Sequence, residues 1–283
     1  MSTPDSGERS WTIQDYLRLG RFSATPLFIS NAFAGAALAA PLAYSIDLVL
    51  ILVAVALVSI GGMYLDDVLG PQSADAASTL TRTAWGIPVA LFAASLFLLA
   101  VVGARSLIAG IVLTLAIVIY DAWQAGSMVR SVLMGVIRSL VYLVAFSAFA
   151  SSLDWPLAVW AAVMVLYLVG LTLIPGTVTR SGVERFGPVA LVLLPAAVAI
   201  GFAPVDVLVW SLAVAVVLWV VHSVSFAWRS SNRQVGGSVA RLIAGISLVD
   251  AVVLATREEW WGALLAMACL ALTMMFQRAL RPA

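Results

Sequence analysis

The sequence predicts an all-α polytopic membrane protein, a bundle of nine to ten membrane-spanning helices, and three observations carry that expectation. Hydrophobic residues make up 63% of the 283 positions and charged residues only 10%, with a mean hydropathy of +1.08. No water-soluble fold hides that much apolar surface. The apolar residues fall into ten segments, each near the ~20 residues that a helix needs to cross about 30 Å of hydrocarbon. Finally, the arginines collect in alternate gaps between segments, as a chain threading back and forth requires.

The first segment, near 24–44, holds Ser30-Asn31-Ala32-Phe33-Ala34-Gly35. Asn31 either joins helices by hydrogen bonds or points into a cavity. The second, near 47–65, closes on the acids of Tyr64-Leu65-Asp66-Asp67, and the fourth, near 106–122, ends at Tyr120-Asp121. Between them lies the third, near 84–103. Carboxylates at span ends point to chemistry at a water–lipid boundary. Within the fifth, near 131–150, Arg138 has Gly135 and Tyr142 three and four residues away on one helical face. A charge there is costly in hydrocarbon, so it should face the bundle interior with a partner, and Gly135 should let a group approach the guanidinium closely. The alternative is an arginine that snorkels to the interface or pairs structurally. The sixth, seventh and eighth segments run near 157–174, 187–203 and 205–227, and His222, near the end of the eighth, reads as an ordinary hydrogen-bonded histidine. The ninth, near 240–256, carries Asp250, an interhelical partner for an arginine. The tenth runs near 260–277.

Threading ten spans places Arg9, Arg18, Arg21, Arg82, Arg130, Arg180, Arg185, Arg229, Arg233, Arg241, Arg278 and Arg281 on one side, and only Arg105 and Arg257 on the other. Basic residues mark the cytoplasmic side, so both termini face the cytoplasm. The same side receives Asp66, Asp67, Asp75, Asp121 and Glu184 in longer loops, whereas short turns opposite carry Asp47, Asp154 and Asp206. A functional mouth is expected where the loops are long. Trp85, Trp123, Trp155, Trp228, Trp260 and Trp261 stand near span ends, as an interfacial belt requires. One integral membrane domain covers 1–283, with 1–20 as a polar cytoplasmic segment that lacks the order of a cleavable signal peptide.

Several function classes are excluded. A net charge of +1 with scattered basic residues leaves no nucleic-acid footprint. Cys269 is the single cysteine, without a partner for an intramolecular disulfide, and no Cys/His set has zinc-ligand spacing. All fifteen basic residues are arginine, so Schiff-base chemistry is ruled out and any anion must meet Arg, backbone or metal.

In order along nearly the whole chain, five stretches resemble the UbiA superfamily of intramembrane prenyltransferases, most closely its bacterial EboC-like branch. They are Leu17 to Ser23 with Asn31 and Gly35; Gly61-Gly62-Met63-Tyr64-Leu65-Asp66-Asp67; Tyr120-Asp121 with Leu133-Met134-Gly135 and Arg138; Tyr167 to Thr172; and Arg241 to Asp250. The resemblance implies a helical bundle, commonly of nine spans, around a central lipid-accessible cavity, in a bacterial plasma membrane. It also implies Mg²⁺ held by acidic motifs against an isoprenyl diphosphate, whose allylic carbon is attacked by a small or lipidic acceptor. Carried onto this chain, Asp66, Asp67 and Asp75 hold the metal. Asp67, Asp121 and Arg138 do the catalytic work, and Asn31, Tyr120, Arg138 and Tyr142 bind the ligand. Hard oxygen ligands and a guanidinium suit a diphosphate leaving group.

The acidic motifs are degenerate. Asp66 stands where the family has Asn, Gly70 and Ala74 stand where it has acids, and Asp75 is displaced by one position. Ala125 occupies the place of a Lys, and Glu184 is the sole acid between Pro175 and Pro188, where a second paired-acid motif is expected. Two functions from different classes therefore follow. One is a prenyltransferase; the other is a non-catalytic isoprenoid- or lipid-binding membrane protein, with room for a protein partner in a membrane complex.

Overall fold

A computed structural model describes residues 24–42, 45–69, 80–123, 126–150, 152–178, 183–228 and 232–279. The N-terminal segment 1–20, Asp75 and Ala125 lie outside them. The described residues form helices α1 (Thr25–Ala39), α2 (Ile46–Leu69), α3 (Leu80–Val102), α4 (Ala104–Ala122), α5 (Ser127–Phe149), α6 (Trp155–Thr177), α7 (Phe186–Phe202), α8 (Val207–Trp228), α9 (Asn232–Ala244), α10 (Ile246–Ala255) and α11 (Trp260–Ala279). A short 3₁₀ turn, Val183–Arg185, leads into α7.

Nine stretches among the described residues are long and apolar enough to cross a membrane, with α9 and α10 together forming one of them, Val235–Ala255. This is an integral membrane protein. The remaining apolar helix, α1, has 15 residues, about 22 Å of rise against roughly 30 Å of hydrocarbon. The segment expected near 240–256 in fact begins at Asn232. Its polar start is accommodated because Ser238 is buried and donates to the Ser223 carbonyl of α8. That span is also the most enclosed: 78% of it is buried, against 17% of Trp85–Val102 in α3.

Sequential helices pack on one another, while α1 lies at the centre against α2, α5, α10 and α11. Small residues set the closest approaches, as expected where lipid gives no hydrophobic drive to association. A Cβ on Gly35 would lie 2.5 Å from the Tyr142 carbonyl oxygen, so only glycine lets α1 sit this close to α5. Gly135 does the corresponding job between α5 and α6, where a Cβ would lie 2.7 Å from Val165 Cα. The expectation that Gly135 opens a path to Arg138 is thus corrected: its open side is filled by α6.

The break between α9 and α10 falls at Gly245, deep in the bundle. Two aromatic donors meet the carbonyls beside it: Trp219 Nε1 donates to the Arg241 oxygen (2.9 Å) and Tyr167 OH to that of Leu242 (2.7 Å). A broken helix survives in hydrocarbon only with such replacement partners. Arg241 therefore lies on α9 within a span, its guanidinium 4.1 Å from the Phe226 ring centroid, and not in a loop.

At the end of the bundle where α1 finishes, the α10–α11 turn caps it. Glu259 accepts from the Leu42 N–H at 2.6 Å, and Arg257 Nε donates to the Ala37 carbonyl at 3.2 Å. Trp123, Trp155, Trp260 and Trp261 are exposed near helix ends, fitting the interfacial belt.

Candidate functional site

Two polar groups gather the residues singled out in the sequence, at different depths. The first lies where α2 and α4 end and α5 begins. Asp66 and Asp67 sit in the last turns of α2, half-buried, and Asp121 is buried at the end of α4. The two helices touch one turn earlier, where a Cβ on Gly62 would lie 2.7 Å from Ile117 Cγ2. Four residues beyond that contact on each helix are Asp66 and Asp121, so close packing carries both acids to the same end of the bundle. Arg130 joins them from α5, its Nη2 3.8 Å from Asp66 Oδ1 and its guanidinium 4.9 Å from the Tyr120 ring centroid. Among the described residues no cluster of three or more His, Cys, Asp or Glu is placed to hold a metal ion.

The second group is enclosed by α1, α5 and α10. Asn31, Arg138 and Tyr142, named together from the sequence, do meet here, and Asp250 is at their centre. Asp250 Oδ1 accepts from Tyr142 OH at 2.6 Å and from Asn31 Nδ2 at 2.8 Å. Its Oδ2 accepts from Ser30 Oγ at 2.6 Å and from the same Asn31 nitrogen at 2.9 Å. Ser247 Oγ lies 3.0 Å from Ser30 Oγ. Arg138 Nη1 donates to Asn31 Oδ1 at 3.0 Å, and the guanidinium lies 3.8 Å from the Phe28 ring centroid. All six polar side chains are buried. Asp250 thus shares one buried network with Arg138, as an interhelical partner for an arginine should, but Asn31 stands between them.

Arg138 is eight residues along α5 from Arg130, about 12 Å of helical rise. The acids at the helix ends and the deeper guanidinium therefore do not form one cluster of direct contacts. Glu184 is exposed on the 3₁₀ turn. Its neighbour Arg185 lies 4.5 Å from the Trp228 ring centroid and 5.0 Å from that of Phe186. His222 is exposed on α8.

Sequence reasoning missed three participants. Ser247 precedes Asp250 by three residues, the spacing of one helical face, and Ser30 adjoins Asn31, so both carried a usable signal. Arg130 carried none beyond its place shortly after Tyr120-Asp121.

No protein-family model matches the sequence, and no curated protein matches it significantly. Solved structures do match the fold. A UbiA homologue from Aeropyrum pernix K1, in its apo form, superposes with a TM-score of 0.64 at 17% identity, over 83% of this chain and 98% of that one. A UbiA homologue from Archaeoglobus fulgidus bound to GPP and Mg²⁺ gives 0.60 at 15% identity, over 90% and 99%. A digeranylgeranylglyceryl phosphate synthase gives 0.59 at 14% identity, over 88% and 97%. The all-helical bundle of this chain is the fold of these UbiA homologues.

Proposed function

We propose that the chain belongs to the UbiA superfamily, in its EboC-like branch, and transfers an isoprenyl group from an isoprenyl diphosphate to a small or lipidic acceptor. The observation that carries this reading is the gathering of Asp66, Asp67, Tyr120, Asp121 and Arg130 at one end of a bundle whose fold is shared with a homologue bound to GPP and Mg²⁺. Neighbouring carboxylates at the end of α2 suit a hard cation. Mg²⁺ is commonly held by one or two carboxylates, completing its octahedron with water and substrate phosphate oxygens, so Asp66 and Asp67 suit it, and Asp75 is added as a donor on the sequence resemblance alone. Bound there, the ion would neutralise charge on the diphosphate as it departs.

The chain's own residues do the remaining work. Arg138 donates charge-assisted hydrogen bonds to diphosphate oxygens. Helical side chains lean towards the helix N-terminus, and for α5 that is the acid-bearing end, so the guanidinium reaches back towards the mouth. Tyr120 and Asp121 line that mouth and orient the metal-bound head or the acceptor, and Asn31 and Tyr142 hold the deeper part of the site. The apolar bundle interior takes the prenyl chain and shields the allylic carbon from water. By the distribution of arginine, the mouth faces the cytoplasm.

One observation favours a second reading, a non-catalytic isoprenoid- or lipid-binding protein or a subunit of a larger complex. Asp66 is engaged by Arg130, and the described residues offer no three-acid cluster. Binding of geranyl diphosphate to the detergent-purified chain, with and without Mg²⁺, separates the two. The enzyme reading expects Mg²⁺-dependent binding that is lost in Asp67→Ala. Binding that ignores both the metal and the substitution supports the carrier.

A further inference from the structure

Arg138 and Asp250 are opposite charges buried in the same network, yet among the described residues Arg138 donates to Asn31 and not to Asp250. The carboxylate has no capacity to spare. Its two oxygens receive two hydrogen bonds each, from Tyr142, Ser30 and twice from Asn31, which fills the roughly four lone-pair positions of a carboxylate. Asn31 can be oriented in only one way, because its amide nitrogen must face the carboxylate and its oxygen must then face the guanidinium. The guanidinium, by contrast, keeps an unmet donor. Its face is covered by Phe28 and its Nη1 is engaged by Asn31, but its Nε is buried without a hydrogen-bond partner.

A direct carboxylate on Arg138 would form a two-pronged pair, consuming the edge of the fork and cancelling its charge where an anion would need it. An amide oxygen does neither. We infer that Asn31 and Asp250 are positioning residues: Asn31 holds Arg138 through a neutral oxygen, and Asp250 balances its charge from one residue away. The remaining guanidinium edge is thereby kept open for an anionic oxygen of the isoprenyl diphosphate. The inference rests on the prenyl-diphosphate reading above and adds to it the device that keeps a buried arginine both tolerable and available.

The test exchanges the two partners. The full chain is purified in detergent as the natural sequence, as Asn31→Asp/Asp250→Asn, as Arg138→Gln, as the triple variant and as Asp67→Ala. Thermal midpoint and affinity for geranyl diphosphate with Mg²⁺ are measured for each. The exchanged pair keeps one carboxylate and one amide in contact, so the midpoint should stay near that of the natural chain. Its affinity should fall by about tenfold or more, because the carboxylate now sits on the guanidinium. In the Arg138→Gln background the exchange should change affinity no further. Natural affinity in the exchanged chain, or a loss that persists without Arg138, overturns the inference.

Should the exchanged chain fail to fold, Asp250→Asn gives a second reading. Its empty form should melt lower, and geranyl diphosphate with Mg²⁺ should raise its midpoint by more than in the natural chain, since the ligand then supplies the missing negative charge. An equal or smaller rise overturns the inference. Failure of the parent reading looks different: binding unaffected by Asp67→Ala removes the metal site alone, while no binding by the natural chain overturns both.

Discussion

Asp250 is the residue on which the interior depends most. It is fully buried, and its acceptors take hydrogen bonds from three helical side chains on α1 and α5. Replacing it with an apolar residue leaves Arg138 as an uncompensated buried charge, and breaking such a pairing from one side costs about 3–5 kcal/mol. Asp250→Leu should therefore lower the thermal midpoint in detergent sharply, whereas Asp154→Ala, exposed ahead of α6 and making no capping hydrogen bond, should leave it nearly unchanged. Much of this network was legible in the sequence, because a charge inside an apolar segment is conspicuous and demands a partner. Arg138 and Asp250 were identifiable on that ground, Tyr142 by its place four residues from Arg138 on one helical face, and Asn31 as an amide inside the first apolar segment. The order of contacts was not, since nothing in spacing tells whether a carboxylate meets a guanidinium directly or across an amide. The acids at the helix ends were equally conspicuous, but their engagement by Arg130 depends on how α5 packs against α2 and α4.

Among the helices, the close approach of α1 to α5 and the break between α9 and α10 carry the architecture. Gly35→Ala should cost about 1–3 kcal/mol, because its Cβ would meet the Tyr142 backbone and overpacked contacts relax poorly. It should also disturb the Asn31–Arg138 contact held between the same two helices. Gly86→Ala on α3, with open space around its Cβ, should be neutral or slightly stabilising in the same melting experiment. At the break, Tyr167→Phe strips the Leu242 carbonyl of its phenol donor, and a buried carbonyl left unsatisfied costs about 1–3 kcal/mol. A midpoint equal to that of the natural chain would show that the break needs no such donor. The apolar segments gave most helices to within a few residues. The polar start of α9 escaped because Asn232 to Ser238 reads as a loop until α8 is there to accept the Ser238 hydroxyl.

At the scale of the whole molecule, the separation of arginine between the two ends predicts an orientation. Cys269 is the single cysteine and is buried, so introduced thiols can be read against a low background. Glu184→Cys should react with a membrane-impermeant maleimide only after permeabilisation, and Asp206→Cys should react on intact cells; the reverse pattern would invert the topology. The fold class was legible from composition and the spacing of apolar runs, and structures of UbiA homologues at 14–17% identity share it. The acid-bearing end is proposed to receive a diphosphate. A structure determined with geranyl diphosphate and Mg²⁺ bound tests that most directly. The account predicts the diphosphate between Arg138 and the acids at the ends of α2 and α4, with the prenyl chain running deeper into the apolar interior; a ligand lying elsewhere in the bundle, or held without contact to Asp66, Asp67 or Arg138, would contradict it.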